Sequence, residues 1–250
     1  PRCIRCGAEY RYHFYTYAHL GDFYCPHCGY HRTPPEVSAE EILSMDAEGS
    51  EVRFAAGGRS YRVRIALPAV YNVYNAAAAA AALYALGEDL SGVMESFGTL
   101  RSSFGRMEIF YPGKEPVQMI LVKNPAGCTQ TIRFLTGLEK EYTLVLCLND
   151  RTADGRDISW IWDADYESFA KDPYLKAVYV SGDRAEDMQL RLKYAGIPEE
   201  SIKLEKDPQA LLAMMRESVR PVFVMPNYTS MLSLRAVLGE ATGAGKFWEK

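Results

Sequence analysis

From residue 117 to residue 238 one pattern repeats: a short apolar run, a polar turn, then a stretch with helical character. The apolar runs cover 117–122, 142–148, 177–181, 202–204 and 222–225, and helices are expected near 130–138, 185–195, 208–217 and 231–238. Strands that alternate with helices predict an α/β fold, with a mostly parallel sheet covered on both faces. The helix starts agree: Asp183 precedes Ala185-Glu186-Asp187, and Asp207 precedes Pro208 in a first turn. Gly196 stands just past a helix end, where a left-handed cap is expected.

One strand of this series empties into an unusual loop. Residues 149–165 read Asn-Asp-Arg-Thr-Ala-Asp-Gly-Arg-Asp-Ile-Ser-Trp-Ile-Trp-Asp-Ala-Asp, with five aspartates, two arginines and two tryptophans. Ligands of open α/β sheets sit outside the carboxyl ends of the strands, so such a loop is a candidate site. Asp163 and Asp165 are expected to begin a helix over 166–170, where carboxylates favour the N-terminal dipole. Asp150, Asp154 and Asp157 remain as candidate functional acids; the competing reading is a solvated loop paired internally with Arg151 and Arg156. Trp160 and Trp162 fit either a core anchor or a partner surface. No histidine or free cysteine nucleophile is near in sequence, since all four histidines lie before residue 32 and Cys147 belongs to the apolar strand.

The amino-terminal 34 residues obey a different rule. Cys3, Cys6, Cys25 and Cys28 form two C-x2-C pairs, the spacing of a tetrahedral zinc site. Each pair is followed by glycine, Gly7 and Gly29, for a tight turn that lets backbone N–H groups reach the thiolates. An aromatic hairpin over 10–24 is expected between the pairs. Four thiolates complete the shell, so His13, His19, His27 and His31 are not needed as ligands, and a closed shell is structural. Cys128 and Cys147 read as small core residues.

Pro34-Pro35 ends this module. Runs at 52–54 and 61–67 flank Gly57-Gly58 as in a hairpin, and Asn72 and Asn75 lead into an alanine-rich helix that ends at Leu86-Gly87. A further helix is expected over 90–100. With a net charge of -4 and a pI near 5.7, the chain lacks the electrostatic footprint of a nucleic-acid binder, despite Arg2, Arg5, Arg11 and Arg32 around the ribbon. No apolar run is long enough for a transmembrane segment and none resembles a secretory signal.

Three segments together resemble the Mur ligase superfamily, which joins amino acids to peptidoglycan precursors using ATP. They are Tyr71-Asn72-Val73-Tyr74-Asn75 with the alanines behind it, Gly105-Arg106-Met107-Glu108, and Lys123-Asn124-Pro125-Ala126-Gly127. The cysteine ribbon, Asn149-Asp150, Asp154-Gly155-Arg156-Asp157, Ser159-Trp160 and Pro226-Asn227-Tyr228-Thr229-Ser230 narrow the resemblance to the MurT family, the synthetase subunits of lipid II isoglutaminyl synthase. The resemblance implies a Mur ligase-like fold in three parts. Residues 1–34 would be a zinc ribbon insertion, 35–107 the remainder of the central ATP-binding domain, and 108–250 a Rossmann-like C-terminal domain.

It further implies a carbon–nitrogen ligase of peptidoglycan synthesis, which amidates the D-glutamate α-carboxyl of the lipid II stem peptide at the inner face of the cytoplasmic membrane. The cofactors would be structural zinc and ATP with Mg. Asn72 and Asn75 would approach the adenine, and Arg106, Lys123 and Asn124 the nucleotide side of the cleft; Asn72 and Asn75 could equally cap the alanine helix. The ammonia would come from a GatD-like glutaminase subunit in a heterodimer, the partner supplying Cys and His and this chain an aspartate. Asp154, before a glycine, stands first for that role, then Asp157, then Asp150. The superfamily's Gly-Lys-Thr phosphate loop is not in this sequence, which suggests the C-terminal part of a longer protein, inactive by itself. The alternative is a non-catalytic zinc-ribbon scaffold that docks a glutaminase.

Overall fold

A computed structural model describes residues 1–17, 20–100 and 106–244; the side chains of Tyr17, Leu20 and Arg106 lie outside that description. The chain divides into two compact units: Pro1–Met45 with Ser50–Ile65 and Tyr71–Thr99, and Asp46–Gly49 with Ala66–Val70 and Leu100–Lys250.

In the first unit, β1 (Arg11–Tyr17) and β2 (Leu20–Tyr24) form the expected aromatic hairpin, with Tyr12 opposite Phe23. Tyr10 and Tyr30 pack on Phe23 at ring-centroid distances of 4.8 and 6.1 Å. A second, antiparallel sheet is ordered β3 (Val37–Met45), β4 (Ser50–Ala56), β5 (Arg59–Ile65). Along β4, Val52, Phe54 and Ala56 are buried while Arg53 faces out, the period of a strand with one covered face. Gly57 and Gly58 make the two-residue turn with φ of 56° and 73°, a pair of left-handed residues that only glycine supplies at no steric cost. Two helices follow, α1 (Val70–Ala85) and α2 (Leu90–Ser96), the latter capped by Asp89 through the Ser91 and Gly92 N–H groups. The helix expected over 90–100 breaks after Ser96 into a 3-10 turn at Phe97–Thr99. In α1, Asn72, Ala76 and Ala80 form a buried row at spacing four, so the alanines serve close packing on one face.

The second unit holds a six-stranded sheet. Its strands are β6 (Arg106–Phe110), β7 (Val117–Ile120), β8 (Tyr142–Cys147), β9 (Leu175–Ser181), β10 (Ile202–Leu204) and β11 (Val222–Pro226), in spatial order β10-β9-β8-β11-β7-β6. Every neighbouring pair is parallel except β6 with β7. β7, β8 and β11 are buried at every position, which is why they read as continuous apolar runs.

The helices are α3 (Pro125–Thr136), α4 (Glu167–Ala170), α5 (Ala185–Tyr194), α6 (Pro208–Glu217) and α7 (Tyr228–Thr242). The chain steps outward from β7 through β8 and β9 to β10, then returns to place β11 between β8 and β7. Right-handed crossovers put helices of opposite steps on opposite faces. Accordingly α3 packs with α4 on one side, and α6 packs with α7 on the other around Met215, Met231, Leu234 and Leu238. The order reverses between β8 and β11, so the switch point falls where the acidic loop leaves the sheet.

Several boundaries differ from expectation. Helix α3 begins at Pro125 rather than near 130, with the Asn124 side chain accepting from the Gly127 N–H at 2.8 Å. Asp207 caps α6 as read, accepting from Gln209 N–H at 3.0 Å, and Gly196 has φ of 98°. Asp183 does not cap α5, whose N-cap is Arg184; its carboxylate pairs with Arg151 instead.

Candidate functional site

The second residue after β8, Asn149, organises the switch point. Asn149 is buried, and its backbone N–H donates to Asn227 Oδ1 at 3.1 Å while Asn227 Nδ2 donates to the Asn149 carbonyl at 2.6 Å. This reciprocal pair ties the end of β8 to the end of β11, a contact made possible because β11 inserts beside β8. Ser230 Oγ donates to Asn227 Oδ1 at 2.7 Å, which fixes the amide. The Asn149 side chain faces two ways: Oδ1 accepts from the Asp183 N–H at 2.8 Å, and Nδ2 donates to Thr229 Oγ1 at 2.8 Å. Gly182 makes that approach possible. Its φ is 93°, and a Cβ there would stand 2.4 Å from the Leu148 carbonyl oxygen and 2.7 Å from Asn149 Oδ1.

Asp154 joins this network from the loop. Its Oδ1 accepts from the Thr229 N–H at 2.8 Å and its Oδ2 from the Thr229 hydroxyl at 2.5 Å. The N-cap of α7, Asn227, provides no side-chain cap, so Asp154 fills that place from 75 residues away. A carboxylate at a helix start is favoured by the exposed N–H groups and the helix dipole. Asp154 is half-buried and its plane is fixed by two donors, whereas Asp157 is exposed. Asp157 Oδ1 accepts from the Ser159 N–H at 2.8 Å, and the Ser159 hydroxyl and N–H together hold its carboxyl below the usual range. Asp150 meets Arg184 at 3.4 Å. Arg151 reaches out of the loop to Asp183 at 2.8 and 3.3 Å, so the internal Arg151 pairing considered from sequence is replaced by a pairing with the next strand end.

Behind the loop, the 3-10 turn Ser159–Asp163 is clamped by Arg191 of α5. Arg191 is buried; its Nε donates to the Ile161 carbonyl at 3.0 Å, and Nη2 donates to the Ala164 carbonyl at 2.8 Å and to Glu167 at 3.0 Å. Its guanidinium also stacks over Trp162 and Tyr166. Trp160 is half-buried and Trp162 exposed, so Ile161 is the buried anchor of this turn. A cleft of about 340 Å³ opens beside the loop, with Asn149, Arg151, Gly182, Asp183, Lys206 and Ser230 among its walls.

The four cysteines converge in the first unit. Their sulfurs all lie within 4.8 Å of one another, with Cys3–Cys28 at 3.6 Å and Cys6–Cys25 at 3.5 Å. A tetrahedron with metal–sulfur bonds of about 2.3 Å has edges of roughly 3.8 Å, so the set fits a four-coordinate metal ion. The Arg5 N–H donates to Cys3 Sγ at 3.4 Å and the Cys28 N–H to Cys25 Sγ at 3.5 Å. The Cys28 N–H holds the Cys25 thiol below its ordinary value against burial. Gly7 and Gly29, both left-handed, direct their N–H groups to the Cys3 and Cys25 carbonyls. His13 pairs with Asp22 and His31 Nδ1 bonds the Arg32 carbonyl, while His19 lies outside the described residues.

The remaining residues named from sequence are spread over both units. Asn72 and Asn75 lie inside α1, joined by an Asn75 Nδ2 to Asn72 Oδ1 bond of 3.3 Å, so neither is the residue that precedes the helix as its N-cap. Lys123 is exposed just beyond β7, and the Asn124 side chain serves the α3 cap. Gly105 and the Arg106 side chain lie outside the described residues; Glu108 forms a partly buried pair with Arg235 at 2.8 and 2.9 Å. Sequence reasoning quoted Asn149 and Thr229 only within motifs, the first as a residue that could hydrogen-bond its turn and the second in a stretch read as a turn or as a substrate or partner contact; it did not pair either with Asp154.

Comparison with known proteins places these features. Residues 121–231 match the family model described as MurT ligase C-terminal. The chain is 32% identical over 237 residues to the Streptococcus pneumoniae protein named lipid II isoglutaminyl synthase (glutamine-hydrolyzing) subunit MurT, covering 94% of this chain and 52% of that protein. It is 34% identical over 244 residues to the MurT subunit of Staphylococcus aureus, covering 98% and 54%. The chain thus spans about half the length of the curated relatives it matches. Among solved structures, a pseudomurein peptide ligase type C from Methanothermus fervidus superposes with a TM-score of 0.66 at 18% identity, covering 96% of this chain and 49% of that one. That likeness carries the fold, which is Mur ligase-like. Among the described residues no helix is long and apolar enough to cross a membrane. The chain is therefore similar to the MurT subunits along nearly its whole length, and its residues 121–231 match the MurT ligase C-terminal model.

Proposed function

We propose that this chain is part of the synthetase subunit of a lipid II isoglutaminyl synthase. The reaction is ATP-dependent amidation of the D-glutamate α-carboxyl in the lipid II stem peptide, with ammonia from a GatD-like glutaminase bound as a heterodimer. A carboxylate resists attack by ammonia until it is activated. Transfer of a phosphoryl group from ATP gives an acyl phosphate, and ammonia then attacks the carbonyl carbon and expels phosphate. The protein's part is charge neutralisation and positioning. Residues 1–34 act as a structural zinc ribbon held by Cys3, Cys6, Cys25 and Cys28. Residues 35–107 complete the central ATP-binding domain, with Asn72, Asn75, Arg106, Lys123 and Asn124 toward ATP and Mg, and residues 108–250 form the C-terminal domain. The work is done at the cytoplasmic face of the membrane, where the lipid-linked substrate is presented.

The observation that carries the reading is the Asp154 carboxylate, oriented by two donors of Thr229 in a unit whose sequence contains no histidine. A triad acid must be fixed while keeping acceptor capacity for the imidazole of its partner, and an ionised carboxylate has roughly four acceptor sites, of which Thr229 uses two. Asp157 and Asp150 are the second and third choices. The test is glutaminase turnover of the full-length protein in complex with its glutaminase, for Asp154→Asn, Asp157→Asn and Asp150→Asn separately. Asp154→Asn should lose activity on the order of a thousandfold while the complex still forms. Should all three variants turn over normally, the loop does not supply the acid.

A further inference from the structure

We propose that Thr229 and Asn149 are positioning residues for the Asp154 carboxylate, acting as a directional hydrogen-bond relay from the ends of β8 and β11. The proposal rests on the reading of Asp154 as the acid of a shared glutaminase site. Its geometry is independent of that reading.

The direction of each bond follows from what each atom can do. The Asp183 backbone N–H can only donate, so the Asn149 atom 2.8 Å from it must be the amide oxygen. The Asn149 nitrogen is therefore the atom 2.8 Å from Thr229 Oγ1, and an amide nitrogen only donates. The Thr229 hydroxyl has one proton, and with the nitrogen side occupied by a donor that proton is directed to Asp154 Oδ2, 2.5 Å away. The Thr229 N–H completes the grip on Oδ1 at 2.8 Å. One residue thus holds both carboxylate oxygens, and a second residue decides which way its hydroxyl points.

Each member is fixed from behind. Asn227 exchanges two bonds with the Asn149 backbone, at 3.1 and 2.6 Å, so Asn149 cannot rotate away from the strand end. Gly182 admits the Asp183 N–H to Asn149 Oδ1, a space that any side chain would close. Thr229 stands in the first turn of α7, where its N–H has no partner four residues back in the helix, so bonding Asp154 costs no internal helix bond. A plain helix cap needs only the N–H bond. The hydroxyl and the amide behind it add orientation, which a catalytic carboxylate needs and a cap does not.

The experiment uses the full-length protein assembled with its glutaminase, with kcat and KM for glutamine measured per assembled complex. Thr229→Val keeps the backbone N–H and the side-chain shape but removes the hydroxyl. It should lower kcat roughly 10- to 100-fold, the scale of one lost hydrogen bond to a charged group, with KM little changed. Thr229→Ser restores the hydroxyl and should restore kcat. Asn149→Asp keeps an acceptor for Asp183 N–H but turns the donor behind Thr229 into an acceptor, and should lower kcat in the same way. If Thr229→Val assembles and turns over at the wild-type rate while Asp154→Asn is inactive, the relay is wrong and the acid assignment stands. If Asp154→Asn itself is active, the acid assignment fails and the relay with it. If Thr229→Val does not assemble, Asn149→Asp decides, and an unchanged kcat there overturns the relay.

Discussion

The cysteine ribbon and the strand-end loop both hold ionisable groups in fixed places, and they draw on different sources of order. In the ribbon, the four sulfurs come from 26 consecutive residues, and two tight turns bring them within 4.8 Å. Around Asp154, the partners Asn149, Asp183, Asn227 and Thr229 lie up to 80 residues apart and meet only because β11 inserts beside β8. The first arrangement is local, and its four sulfurs fit a metal ion; the second is global and owes its stability to the sheet. Removing a bound metal should therefore injure only one of them, and straining the sheet only the other.

Metal removal should produce the largest effect. A four-thiolate site contributes folding free energy on the order of 10 kcal/mol to a small segment. Purified protein should contain one equivalent of zinc. Chelation, or Cys25→Ser, should erase amide-exchange protection in β1 and β2 while the amides of β8 and β11 stay protected. Metal analysis that finds no stoichiometric zinc would sink the claim, and equal loss of protection in both regions would erase the contrast between them.

Legibility in the sequence divides along the same line. The Cys spacing, the Gly57-Gly58 turn and the Asp207-Pro208 helix start depend on neighbours a few residues away, and each stands where it was read. The buried strands β8 and β11 were visible because a run covered on both faces must be apolar throughout. Strand β3 was not visible: most of its residues are exposed, so the two-residue period is nearly absent. Asp183 carried the signature of a cap but gives its carboxylate to Arg151, since a cap contributes about 1 kcal/mol and a two-bond contact with a guanidinium competes with it. Asn124, read for nucleotide contact, is also the side chain that caps α3. For Asp154, the glycine that follows it, Gly155, identified the turn; the pairing with Thr229, which orients it, could not be found without the strand order.

Gly182→Ala tests the global half. The added methyl would meet the Leu148 carbonyl and Asn149 Oδ1, and φ of 93° is strained for any other residue. Loss of about 2–4 kcal/mol is expected, combining backbone strain with the broken Asp183 to Asn149 bond. Denaturant unfolding of the second unit measures it, and zinc content should not change. An unaltered midpoint would mean that the strand-end network tolerates the displacement and is not rigid.

The smallest effect concerns the clamp behind the loop and sharpens how much of its order is electrostatic. The Arg191 hydrogen bond, against the opposing effect of burial, holds the Glu167 carboxyl below its ordinary range. A depressed carboxylate contributes stability that is fully present above its unfolded pKa and is lost as pH falls through the lower folded value. The Glu167 side chain is 48% exposed, so solvent screening limits the pair to no more than about 1 kcal/mol. Arg191, by contrast, is buried, and its bonds to the Ile161 and Ala164 carbonyls do not titrate with Glu167. Glu167→Gln should therefore leave the clamp in place and only flatten the fall in stability as pH drops from the ordinary glutamate range into more acid solution. Urea unfolding of both proteins across that range reads the difference. Coincident curves would assign the whole clamp to the two carbonyl bonds, and a Glu167→Gln protein that unfolds at neutral pH would show that the ion pair, not the backbone contacts, holds the turn behind the loop.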